Sequence, residues 1–148
     1  QAPQVRHQAG TRTLAEAQEA YRSAGVAAEV MPFIDDMAEA YAWADLVIAR
    51  AGALTVAELA AVGAASVLVP LPWAVDDHQS ANAEQLRRAG AARIVPQPAL
   101  EAGELAGELA GLLADRRRLQ GMAEAARTVA CPEAAARVAA ACQEVADE

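Results

Sequence analysis

Asp45-Leu46-Val47-Ile48-Ala49-Arg50-Ala51-Gly52-Ala53-Leu54-Thr55-Val56-Ala57-Glu58-Leu59-Ala60-Ala61-Val62-Gly63-Ala64-Ala65-Ser66-Val67-Leu68-Val69 changes its apolar rhythm twice, and those changes decide the fold. Asp45 to Arg50 is an apolar run of strand length, broken by Gly52. A helix then reaches about Val62, Gly63 ends it, and Ser66 to Val69 is the next strand. A helix between two buried strands implies a crossover and parallel pairing.

The same alternation continues on both sides. Gln4 to Gln8 closes a short strand, and Leu14 to Ala24 reads as a helix ending at Gly25. Val26 to Phe33 is strand-like, and Asp35 or Asp36 caps a short helix with Met37 and Tyr41 on one side. Beyond Val69, Pro70 and Pro72 open a loop, Asp77 caps a helix to Ala89, and Arg93 to Val95 forms one more strand. From Leu100 the chain is helical, with Leu105, Leu109, Leu112 and Leu113 as a core stripe. The expected fold is α/β: a Rossmann-like parallel sheet flanked by helices, in one domain over residues 1–148. Such sheets bind ligands at the carboxyl ends of their strands, here near Phe33, Gly52 and Pro70.

Composition narrows the partners. The 148 residues are 55% hydrophobic, with 12 basic residues, all arginine, against 20 acidic ones, a net charge of −8. Nucleic acid is a poor partner for such a chain, because phosphate affinity needs clustered cations. Arg116-Arg117-Arg118 reads as a solvated helix end. Cys131 and Cys142 sit in no CxxC or Cys/His cluster, so neither a zinc site nor a disulfide scaffold is expected, and a reducing cytoplasm suits them. Leu59 to Val75 carries no charge, but Gly63, Pro70 and Pro72 interrupt it, which makes a helix end, a strand and a loop rather than a membrane span. The chain opens at Gln1 without methionine or a signal-peptide pattern, as a fragment or processed product would.

Three constellations carry chemistry. At Gly52-Ala53-Leu54-Thr55 a strand runs directly into a helix, whose free N–H groups and positive dipole end suit a diphosphate. Gly52 admits a ligand where a side chain would block it. Glu58, one turn further in, can accept two hydroxyl protons from a ribose diol; equally, Thr55-Val56-Ala57-Glu58 matches a capping box. In Asp77-His78-Gln79-Ser80-Ala81-Asn82, the residues His78, Gln79 and Asn82 share one helical face, suited to sugar hydroxyls or simply a polar first turn. Phe33-Ile34-Asp35-Asp36-Met37 ends a strand with apolar groups and free backbone, which fits either a uracil site or core packing.

Together, Phe33-Ile34-Asp35-Asp36-Met37, Ala40-Tyr41-Ala42-Trp43-Ala44-Asp45, Gly52-Ala53-Leu54-Thr55 with Glu58, and Asp77-His78-Gln79 with Asn82-Ala83 resemble the MurG family. Arg6-His7-Gln8-Ala9-Gly10 resembles the same family, just after the first βα unit of its second domain. These bacterial UDP-N-acetylglucosamine (UDP-GlcNAc) transferases convert lipid I to lipid II in peptidoglycan synthesis. They have the GT-B architecture of two Rossmann-like domains facing a cleft.

The resemblance implies that this chain is the donor-binding half. Ile34 would contact uracil through its backbone, with Met37 beside it. Glu58 would hold the ribose, while Gly52, Ala53, Leu54 and Thr55 meet the diphosphate. Gln79 and Asn82 would meet the GlcNAc hydroxyls, with His78 nearby. UDP-GlcNAc is a substrate, and no metal or other cofactor is implied. The acceptor domain, the catalytic base, and the first strand and glycine loop of the donor domain would lie outside the chain, leaving it inactive alone and without a catalytic residue. The whole enzyme would sit on the cytoplasmic face of the inner membrane. The alternatives are a stand-alone donor subunit of a split N-acetylglucosaminyltransferase, a UDP-GlcNAc 2-epimerase-like domain, and a Rossmann-like interaction module without a ligand.

Overall fold

The computed structural model describes residues 3–72 and 77–146. Trp73, Ala74, Val75 and Asp76 of the proline loop lie outside them. The chain divides into two compact units, Gln1–Ala40 and Tyr41–Glu148.

The first unit is a βαβ motif. Strand β1 (Val5–Gln8) pairs in parallel with β2 (Ala28–Met31), Val5 opposite Ala28 and Gln8 opposite Met31. Helix α1 (Leu14–Ser23) joins them and stops where Gly25 takes a φ of 65°. Helix α2 (Met37–Trp43) begins at Asp36, whose carboxylate accepts from the Glu39 N–H at 2.8 Å. Of the two candidate caps, Asp36 therefore fills the role. Arg6 reaches across to Glu29 at 3.1 Å and Glu39 at 2.7 Å.

In the second unit, β3 (Val47–Ala49), β4 (Ser66–Leu68) and β5 (Ala92–Ile94) form a parallel sheet in that order. Helix α3 (Ala53–Val62) links β3 to β4, and α4 (His78–Ala89) precedes β5. A short 3-10 turn (Gln97–Ala99) leads to α5 (Ala102–Ala114), α6 (Arg116–Thr128) and α7 (Ala134–Ala146). Central β4 is buried throughout, and its alternating side chains enter two clusters. Leu68 joins Val56, Leu59, Ala83 and Leu86 from α3 and α4. Val67 joins Leu112, Leu119 and Met122 from α5 and α6.

Several boundaries shift. The strands are shorter than the apolar runs predict, because pairing ends before the hydrophobicity does. Asp77 precedes α4 but does not cap it through its side chain; its φ of 52° is left-handed. Leu105, Leu109 and Leu112 form the core stripe, but Leu113 is 41% exposed, turned off that face by the helical period. The Arg116–Arg118 run opens α6 on the surface, with Asp115 accepting from the Arg118 N–H at 3.0 Å. Among the described residues no helix is long and apolar enough to cross a membrane.

Candidate donor-binding site

The start of α3 is built from Gly52 upward. Gly52 is its N-cap, with extended backbone (φ −62°, ψ 149°) and no side chain to cap with. The Val56 N–H bonds the Gly52 carbonyl at 2.9 Å and opens the helical ladder, so the N–H groups of Ala53, Leu54 and Thr55 precede it. Leu54 is 79% exposed on this first turn. A methyl group at Gly52 would meet only the Thr55 hydroxyl, at an ordinary 3.7 Å. Nothing among the described residues therefore demands a glycine there, in contrast to Gly63 at the other end of α3. Gly63 has a φ of 70°, and a Cβ there would strike the Arg127 side chain.

Thr55 lies inside α3 and Gly52 is the cap, so the capping-box reading fails. The Glu58 carboxylate instead accepts from the Tyr41 hydroxyl at 2.9 Å. Burial, and then the hydrogen bond to Glu58 and its charge, push the Tyr41 phenol up to about 12.

The carboxyl edge of the sheet is fastened by three polar side chains. Arg50, just past β3, donates to the carbonyls of Val69 at 3.1 Å and Pro70 at 3.5 Å. Asn82 donates through Nδ2 to the Ala51 carbonyl at 3.1 Å. Gln79 accepts the Leu71 N–H through Oε1 at 2.9 Å. Each orientation follows from its partner, since a carbonyl can only accept and a backbone N–H can only donate. His78 lies exposed at the start of the same helix.

In the first unit, Ile34 and Met37 are half-buried and Phe33 is 63% exposed, so core packing does not account for Phe33. The expectation of free backbone at Ile34 needs correction. Its N–H donates to the Gln8 side-chain carbonyl at 2.9 Å. Gln8 ends β1 and lies opposite Met31, so a residue beyond the end of β2 comes within reach of its amide.

The sequence singled out Gly52, Glu58, Gln79 and Asn82 as candidates, but it gave no contact for Arg50, Gln8 or Tyr41. Arg50 alone left a signal: a charge at the end of a buried strand, placed among groups that need donors. Among the described residues, no three His, Cys, Asp or Glu side chains gather where they could hold a metal ion.

Residues 1–138 match the model of the glycosyltransferase family 28 C-terminal domain. The chain is 68% identical over 145 residues to the UDP-N-acetylglucosamine--N-acetylmuramyl-(pentapeptide) pyrophosphoryl-undecaprenol N-acetylglucosamine transferase of Halorhodospira halophila. That alignment covers 97% of this chain and 40% of the relative. The identically named protein of Alkalilimnicola ehrlichii is 61% identical, with the same coverage. Among solved structures, Acinetobacter baumannii MurG superposes with a TM-score of 0.87 at 45% identity, covering 95% of this chain and 43% of that one. The chain thus spans 40% of the length of these curated relatives.

Proposed function

The chain belongs to the glycosyltransferase family 28 C-terminal domain family, and on that premise we propose that it holds UDP-GlcNAc as the donor in transfer to lipid I. The observation that carries this reading is the start of α3. Three backbone N–H groups there precede the helical ladder, and among the described residues no side chain caps them. A carboxylate that does not cap the helix follows one turn later.

In this reading the diphosphate lies over Gly52, Ala53, Leu54 and Thr55, and Glu58 accepts the ribose hydroxyls. Gln79 and Asn82 meet the sugar, with His78 beside them, and Ile34 and Met37 serve the base. The reaction is an inverting displacement. A hydroxyl of lipid I attacks the anomeric carbon of GlcNAc, the bond to the β-phosphate oxygen breaks, and UDP leaves with the electron pair. Negative charge grows on the diphosphate in that step, and a preorganised helix start stabilises it without reorientation. The acceptor's proton goes to a base we assign to no residue of this chain. The whole protein would work at the cytoplasmic face of the inner membrane, in peptidoglycan synthesis and through it cell shape and division.

Glu58→Gln tests the assignment. Weakening a charge-assisted bond costs ~1.5–3 kcal/mol, or roughly ten- to a hundredfold in affinity. Calorimetry should therefore show UDP binding weakened by about that factor, with thermal stability nearly unchanged. An unaltered dissociation constant would remove Glu58 from the donor site.

A further inference from the structure

Glu58 is exposed on α3, and an exposed glutamate samples several rotamers. In this chain one hydroxyl restrains it. The Tyr41 ring, in the last turn of α2, packs against the core cluster that contains Val56, Leu59 and Ala60. From that anchored ring the hydroxyl reaches Glu58 Oε2 at 2.9 Å.

We propose that Tyr41 is a positioning residue for the donor site: it holds the Glu58 carboxylate in the orientation that receives a vicinal diol. This rests on the assignment of Glu58 to the ribose. A carboxylate has about four acceptor positions over two oxygens. With one taken by Tyr41, Oε1 and the remaining lone pair of Oε2 are left, enough for two neighbouring hydroxyls. The rotamer cost is then met on folding rather than on binding, which is how preorganisation raises affinity. The phenol, held up to about 12, keeps its proton and stays a donor at neutral pH.

The competing role is a pin between α2 and α3, which would act on stability and ignore the ligand. Tyr41→Phe separates the two, since it keeps the ring and removes only the hydroxyl. Calorimetry on the full chain would compare UDP with 2′,3′-dideoxy-UDP, which lacks the diol. Freeing one rotamer-rich side chain should weaken UDP binding about two- to tenfold. Dideoxy-UDP should bind Tyr41→Phe and the unaltered chain alike. Adding Tyr41→Phe to Glu58→Gln should cost nothing further. If Tyr41→Phe leaves UDP affinity unchanged, or weakens both ligands equally, the positioning role is wrong while the donor-site assignment stands. If the unaltered chain does not distinguish UDP from its dideoxy form, the ribose assignment of Glu58 fails, and this inference with it.

Discussion

A side-chain amide carries one acceptor and two donor hydrogens, and the fold has already engaged part of both amides on α4. Gln79 has given its carbonyl to the Leu71 N–H, and in the proposed site its NH₂ would be the group that meets the sugar. Asn82 has given one N–H to the Ala51 carbonyl, which leaves its carbonyl and a second N–H. The pair therefore offers a donor and an acceptor one helical turn apart, a combination that can sense the configuration of a sugar ring. Gln79→Ala should weaken UDP-GlcNAc binding and blunt discrimination against its C4 epimer, UDP-GalNAc, while UDP itself binds nearly as before. The wrong epimer leaves polar groups unpaired, and that is the source of such discrimination. Competition binding with the three ligands checks this; an equal loss for UDP would confine Gln79 to holding the loop at Leu71. The shared face of Gln79 and Asn82 was legible from their spacing. Their backbone partners were not, because those lie 8 and 31 residues away.

At the scale of the element, the two ends of α3 make opposite demands. Gly63 closes the helix in the left-handed region, its N–H bonded to the Leu59 and Ala60 carbonyls, and Arg127 crowds it while donating to Val62 at 3.0 Å. Gly63→Ala should cost about 1–2 kcal/mol from backbone strain, before any displacement of Arg127, and leave UDP affinity alone. Gly52→Ala should do the reverse. Its backbone angles suit alanine and the added methyl has room among the described residues, so the melting temperature should hold while UDP binding falls. If Gly52→Ala binds UDP normally, no ligand approaches that backbone closely. Helix α5 offers a further contrast between neighbours. Leu112→Ala should cost about 2–5 kcal/mol as a core truncation, and Leu113→Ala less than about 0.5 kcal/mol, a difference that chemical denaturation would resolve. The glycine-ended helices were read almost to the residue because a left-handed stop is a local, steric signal. The strands were overextended because hydrophobicity marks burial, whereas a strand ends where its pairing partner does.

Across the whole molecule, the half-buried Tyr41 side chain couples stability to alkaline pH. Its folded value of about 12 lies above the ordinary 10.0, so between those limits the unfolded chain has lost a proton that the folded chain keeps. Stability from this group is complete below pH 10 and declines as pH rises toward 12. Denaturant midpoints measured across that window should fall. Glu58→Gln should flatten the decline without abolishing it, since burial remains the leading cause. An identical slope in Glu58→Gln would mean that burial alone sets the phenol. By itself the sequence determined the alternation of helices and strands, the parallel α/β class, the glycine-marked helix ends and the likeness to one transferase family. The first three follow from short-range sterics and from periods of two and 3.6 residues, which a chain displays in its own order; the likeness rests on the motifs at residues 33–37, 40–45, 52–58 and 77–83. Only the tertiary structure decided that Gln8 occupies the Ile34 N–H, that Arg50 holds the carbonyls of Val69 and Pro70, and that Glu58 answers to Tyr41 rather than to a helix cap. Those contacts join residues 17 to 26 apart, and strand register and helix packing, not any local pattern, bring such groups within hydrogen-bonding reach.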